Sequence, residues 1–129
     1  MSKTARDLSA EDLEAYMPLL SLKSFQQDPL LAEKRSRAWA VARSAADLLK
    51  KEYCATRVVI FGSLARKGVF TPWSDIDLAV WGIKPEFYLR AAGGAIDMGL
   101  EREIKIDIVD AENCSEAFYS EIEEMGIEI

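Results

Sequence analysis

Between Asp75 and Trp81 the chain reads Asp-Ile-Asp-Leu-Ala-Val-Trp. Side chains alternate across a strand with a period of two, so Ile76, Leu78 and Val80 fall on one face and Asp75 and Asp77 on the other. A strand with one apolar and one carboxylate face is expected, and the rest of the chain must cover the apolar one. Two further segments have strand character. Val58-Val59-Ile60-Phe61 is a β-branched and aromatic run that stops at Gly62, and Ile104, Ile106 and Ile108 alternate with Lys105 and Asp107.

Helical periodicity fills the remainder. Asp28-Pro29 reads as an N-cap followed by proline at the first helical position, and Leu31, Ala38, Val41, Ala45, Leu48 and Leu49 continue at helical spacing to about Tyr53. Pro85 opens a second helix to about Leu100, weakened by Gly93-Gly94. Asn113 with Glu116 is expected to cap a third, acidic helix ending at Gly126, with a short strand at Ile127-Glu128-Ile129. Upstream, Ser9 and Asp12 resemble a capping box, and Leu13, Tyr16, Met17 and Leu20 share one side of a helix to about Leu22. The expected fold class is α/β (α+β): a small mixed β-sheet with helices on one face, leaving the acidic face open. With 129 residues, half of them hydrophobic, the chain has material for one core. Residues 1–27 are expected to form a helical extension and 28–129 the domain proper.

Composition narrows the chemistry. The chain contains no histidine, which removes Ser-His and Cys-His triads and imidazole zinc sites, so carboxylates must carry any acid-base work. Cys54 and Cys114 lack metal-ligand spacing and are expected to be reduced thiols. The net charge of −6 is uneven: residues 1–56 hold 9 basic and 8 acidic side chains, residues 57–129 hold 7 and 14. No basic footprint for neutralising phosphates exists, so direct DNA or RNA binding is not expected. Neither a bilayer-length apolar stretch nor a secretory leader pattern is found, and a cytoplasmic location is expected.

Asp75 and Asp77, two apart on one strand face, present carboxylates close enough to share a divalent cation. Hard oxygen ligands without His or Cys select Mg²⁺ or Mn²⁺, and Mg²⁺ completes its shell with water and substrate phosphates. Asp107 has the parity to join them if its strand neighbours theirs, which would make a cradle for two metals. Asp110 competes with it but has the opposite parity. The turn Gly62-Ser63-Leu64-Ala65-Arg66-Lys67-Gly68 supplies the complementary part. Glycine admits an oxyanion to the backbone, Ser63 offers a hydroxyl and a helix cap, and Arg66 and Lys67 offer positive charge for a departing pyrophosphate. Singly, each of these has a plain structural explanation: Asp75 as a turn residue after Pro72-Trp73-Ser74, Ser63 as a cap, Asp107 as a solvent-facing edge residue. Their combination favours a nucleotide site. Trp73 is equally suited to stacking on a base or packing on its own domain, and Glu116, Glu121, Glu123 and Glu124 read as a solvated helix face.

GSLARKG followed by SDIDLAV resembles the minimal nucleotidyltransferase branch of the DNA polymerase β-like superfamily, over about residues 30–129. That family has about ten residues between Gly-Ser and Asp-x-Asp; here there are eleven, the extra one most simply Lys67. The resemblance implies Gly62 and Ser63 as the nucleotide-gripping pair, Arg66 as the basic position, Asp75 and Asp77 as metal ligands and Asp107 as the third acid. It further implies Mg²⁺, with two ions, and ATP as substrate. Small members of this kind act as antitoxins of HEPN-type toxins, transferring AMP to a toxin tyrosine, so a HEPN partner is expected. The alternatives are an antitoxin that works by binding alone and a small-molecule, antibiotic-modifying nucleotidyltransferase.

Overall fold

The computed structural model describes residues 28–66 and 69–129; the expected helix near Ser9–Leu22, as well as Lys67 and Gly68, lie outside them. The first described helix, α1 (Pro29–Tyr53), begins where the cap predicts: the Asp28 carboxylate accepts from Leu30 N at 2.9 Å, with proline at the start. It ends at Cys54, which adopts a left-handed conformation (φ 60) with Lys50 and Lys51 in the final turn. Its buried face is largely alanine (Ala38, Ala42, Ala45, Ala46) with Leu31, Val41 and Leu49, so the helix axis can come close to the sheet.

Strand β1 (Arg57–Phe61) leads into a 3-10 turn, Gly62–Leu64; β2 (Ile76–Trp81), α2 (Pro85–Leu100), β3 (Ile106–Asp110), α3 (Glu116–Met125) and β4 (Ile127–Glu128) follow. The sheet order is β3-β2-β1-β4. β1 pairs antiparallel with β2 and with β4, whereas β2 and β3 are parallel and are joined, as a parallel pair requires, by a helical crossover, α2.

Val58, Ile60, Ile76, Leu78, Val80 and Ile106 form one sheet face, buried against the alanine face of α1 and Ala91 and Ala95 of α2. The opposite face carries a smaller cluster of Val59, Phe61, Ala79, Ala111 and Ile122, with Phe118 packed against it. Phe118 meets Phe61 edge-on, ring centroids 6.2 Å apart. The main core thus sits on one face as expected, and α3 covers part of the other. Arg57, at the head of β1, ties this side together by pairing with Glu128 (2.6 Å) and Glu123 (3.1 Å) and stacking on Trp81 (4.4 Å). No helix among the described residues is long and apolar enough to cross a membrane.

Beyond the one-residue trimming of β2, which starts at Ile76, and of β4, which ends at Glu128, two boundaries differ from the sequence expectation. β3 starts at Ile106, because Ile104 belongs to the turn after α2, where its N–H donates to the Gly99 carbonyl at 2.9 Å and Glu103 has φ 59. Ile104 is still a core residue, 2 % exposed, so the alternation identified burial but not strand. The cap of α3 is Ser115, whose Oγ accepts from Phe118 N at 3.3 Å. Asn113 instead donates to the Asp110 carboxylate at 2.8 Å.

Candidate active site

The top of β2 positions the acidic residues. Asp77 faces Phe61 across the antiparallel pair and Asp107 across the parallel pair, so Asp77 and Asp107 lie side by side on one sheet face at the inter-strand spacing of about 4.8 Å. Asp75 precedes β2 by one residue and is held at the rim by the Ile76 N to Lys105 carbonyl bond, 2.9 Å. The adjacency of the Asp107 strand, which parity alone leaves open, is therefore present.

Their exposures differ sharply. Asp77 is completely buried, Asp75 is half-buried, and the Asp107 side chain is 29 % exposed. The acidic face is thus closed over its central carboxylate. Gly62 is what lies against it: a β-carbon placed there would sit 2.4 Å from Asp77 Oδ2, and the backbone has φ +73. Only glycine allows both the left-handed turn and this approach. Asp77 and the Gly62-Ser63 turn are therefore in direct contact, as a shared nucleotide site requires.

Ser63 is 5 % exposed and lies inside the 3-10 turn, which begins at Phe61 without a side-chain cap. The expected capping role for Ser63 is not taken up; its carbonyl accepts from Arg66 N at 3.3 Å. Arg66 pairs with Glu121 of α3 at 3.5 Å, both about three-quarters buried, which gives one of the acidic-helix residues a definite partner at the site's edge. Lys67 lies outside the described residues. Asp110 is occupied structurally: its carboxylate accepts from Glu112 N (3.1 Å) and Asn113 Nδ2 (2.8 Å), fixing the turn after β3.

The loop between the turn and the carboxylates is ordered by its own hydrogen bonds. Buried Thr71 and Ser74 bridge through Thr71 N to Ser74 Oγ (2.8 Å) and Ser74 N to Thr71 O (3.0 Å). Trp73 projects from it, 60 % exposed, two residues from Asp75.

Two cations of α1 that no local sequence pattern singles out reach this rim. Lys34 Nζ donates to the Pro72 carbonyl at 2.6 Å and lies 5.8 Å from the Phe70 ring centroid. Arg35 Nη2 donates to the Leu64 carbonyl at 3.4 Å. Burial draws the Lys34 pKa below its ordinary value; the Asp75 charge opposes that shift and Arg37 adds to it. On the other flank Lys105 pairs with Asp107 at 3.8 Å. The only signal for Lys34 is its place in the second turn of the helix that Asp28 caps, and periodicity gives that no meaning without the tertiary packing.

The donor set suits a hard divalent cation. Among the described residues no group of three or more His, Cys, Asp or Glu side chains is gathered closely enough to hold a metal ion. Mg²⁺ needs only one or two protein carboxylates when phosphate and water supply its other ligands. Asp77 and Asp107, side by side on one face with Asp75 at the rim and Lys105 paired to Asp107, fit that use rather than a closed protein cage.

Compared with known proteins, residues 42–127, two thirds of the chain, match the family described as "Nucleotidyltransferase domain". The match spans the Gly62-Ser63 turn and all three carboxylates. No curated protein matches the chain.

Proposed function

The chain belongs to the nucleotidyltransferase domain family, and from that premise we propose that it transfers AMP from ATP to a tyrosine hydroxyl of a partner HEPN-type toxin, as that toxin's antitoxin. The observation that carries the transfer chemistry is the contact of Gly62 with Asp77, together with the in-register placement of Asp77 beside Asp107. One turn and two strands thereby bring the Gly62-Ser63 backbone and the Asp77 and Asp107 carboxylates to one place, which supports a nucleotide site.

In this reading Asp75 and Asp77 would hold Mg²⁺, with Asp107 beside Asp77 on β3. When bound, the metal neutralises phosphate charge and lowers the pKa of the acceptor hydroxyl. Gly62 and Ser63 hold the β and γ phosphates through backbone N–H groups and the serine hydroxyl. The acceptor oxygen forms a bond to the α-phosphorus, the α–β phosphoanhydride bond breaks, and pyrophosphate leaves with the electron pair. Asp107, more exposed than Asp77, takes the acceptor's proton. Arg66, tied to Glu121, stands behind the turn and neutralises charge on the leaving group. Positioning and charge account for most of the rate.

The toxin as acceptor rests on the family resemblance, and it is tested directly. The protein, Mg²⁺, α-labelled ATP and the candidate HEPN partner are mixed, with Asp77→Asn in parallel. Label on a partner tyrosine, absent with Asp77→Asn, is the expected result. Neutralisation of the toxin by Asp77→Asn as complete as by the unaltered chain would instead assign a binding-only antitoxin. Label on an added aminoglycoside without any partner would assign a small-molecule enzyme.

A further inference from the structure

Lys34 lies outside the residues that match the family, which begin at 42, yet it touches the loop that delivers Asp75. Its place is fixed from both ends. α1 carries it rigidly, and the Pro72 carbonyl that receives its Nζ belongs to the loop locked by Thr71 and Ser74. The next residue, Arg35, reaches the Leu64 carbonyl in the phosphate turn. Consecutive positions of one helix therefore touch the two segments that a bound triphosphate would span.

An ammonium has three N–H donors, and the Pro72 carbonyl uses one of them. Bound to the Pro72 carbonyl, three residues before Asp75, and close enough to feel that carboxylate's charge, the group is a point charge at the rim of a site whose own ionisable residues are carboxylates. Such a site repels an anionic nucleotide until cations offset it, and a lysine on a flexible stem can turn toward phosphate oxygens without moving its helix. Tethering the loop is a second use of the same contact, and the two uses predict opposite responses to metal.

We propose that Lys34 is a specificity-determining residue of the nucleotide site, its ammonium contacting the terminal phosphates of the donor and so favouring a nucleoside triphosphate over the monophosphate. This rests on the nucleotide reading given above. The contact is a charge-assisted one, so its loss lowers triphosphate affinity by roughly ten-fold or more. A monophosphate, lacking the terminal groups, does not register the loss.

The test measures equilibrium binding of ATP, ADP and AMP, each with Mn²⁺, to the full chain, to Lys34→Met and to Lys34→Arg, alongside binding of Mn²⁺ alone. Lys34→Met is expected to lose about ten-fold in ATP affinity with little change for AMP, and Lys34→Arg to recover most of it. Mn²⁺ alone should bind Lys34→Met at least as tightly as the unaltered chain, since a positive charge beside Asp75 has gone. Lys84→Met, removing an exposed cation beyond the far end of β2 from the carboxylates, should leave the ATP-to-AMP ratio unchanged. Equal losses for ATP and AMP, or weaker Mn²⁺ binding, would reduce Lys34 to a loop tether and overturn the proposal. Unchanged ATP affinity in Lys34→Met would overturn it while leaving the nucleotide site standing. Failure of the unaltered chain to bind any nucleotide would remove both.

Discussion

Replacing Gly62 by alanine isolates the contact on which the site is built. Two separate costs arise. The φ of +73 puts a β-carbon in the left-handed region, at about 1–2 kcal/mol. The same atom would lie 2.4 Å from Asp77 Oδ2 and 3.3 Å from its Cγ. Asp77 has no solvent to retreat into, being 0 % exposed, and it is flanked by Phe61 and Asp107. Forcing an atom into such a place costs about 1–3 kcal/mol. The total, about 2–5 kcal/mol, is a large part of the roughly 5–15 kcal/mol that holds a domain folded. At about 4 °C per kcal/mol the midpoint of thermal unfolding should fall by roughly 8–20 °C.

A double-mutant cycle separates the two terms. In an Asp77→Ala background the carboxylate is gone and only the backbone cost remains, so Gly62→Ala should be milder there by about 1–3 kcal/mol. Urea unfolding of the four proteins gives the coupling. An identical penalty in both backgrounds would show that turn and carboxylate do not press on one another, and the argument from close approach would fail.

Gly93 provides the opposite case: a β-carbon there meets nothing within 4 Å, so Gly93→Ala should stabilise α2 by about 0.5–1 kcal/mol in urea unfolding. Ser115→Ala removes the hydroxyl that caps α3 and should cost about 1 kcal/mol in the same assay. Tyr88 donates to the Ile108 carbonyl at 3.3 Å, and Tyr88→Phe should cost about 0.5–1 kcal/mol at neutral pH. Burial first, and the Asp110 charge second, raise the Tyr88 pKa above its ordinary 10.0. Stability linked to the neutral phenol is therefore complete below pH 10 and lost as pH climbs through the higher folded value, where the unfolded chain ionises first. The gap between Tyr88→Phe and the unaltered chain should accordingly narrow above pH 10, as unfolding at pH 9 and 11 would record.

Local chemistry made much of this fold legible. Asp28-Pro29 and Pro85 mark helix starts because their physics is contained within one turn, and β2 is legible because period-two alternation has one strand solution. The features that went astray depend on distant partners. Ile104 alternates like a strand residue but is buried in a turn, since β3 takes its register from β2 and starts at the Ile76–Ile106 pair. Asn113 could cap α3 in sequence, yet Asp110 recruits it and Ser115 takes the post. At the site, the acids and the Gly62-Ser63 turn are readable from spacing. The burial of Asp77, the Arg66–Glu121 pair and the reach of Lys34 come from three elements meeting, which no window of sequence contains.

Asp77 and Asp107 are thirty residues apart along the chain but opposite one another in a parallel pair. Such a pair closes only after the intervening helix has folded back over the sheet, a late, non-local event in the growth of a domain. A chain emerging from the ribosome, or one partly unfolded, can carry a finished β1 hairpinned to β2 and still have two of its three acids without their neighbour. In the proposed site the third acid thus arrives only with completion of the crossover, after β1 and β2 can already have paired.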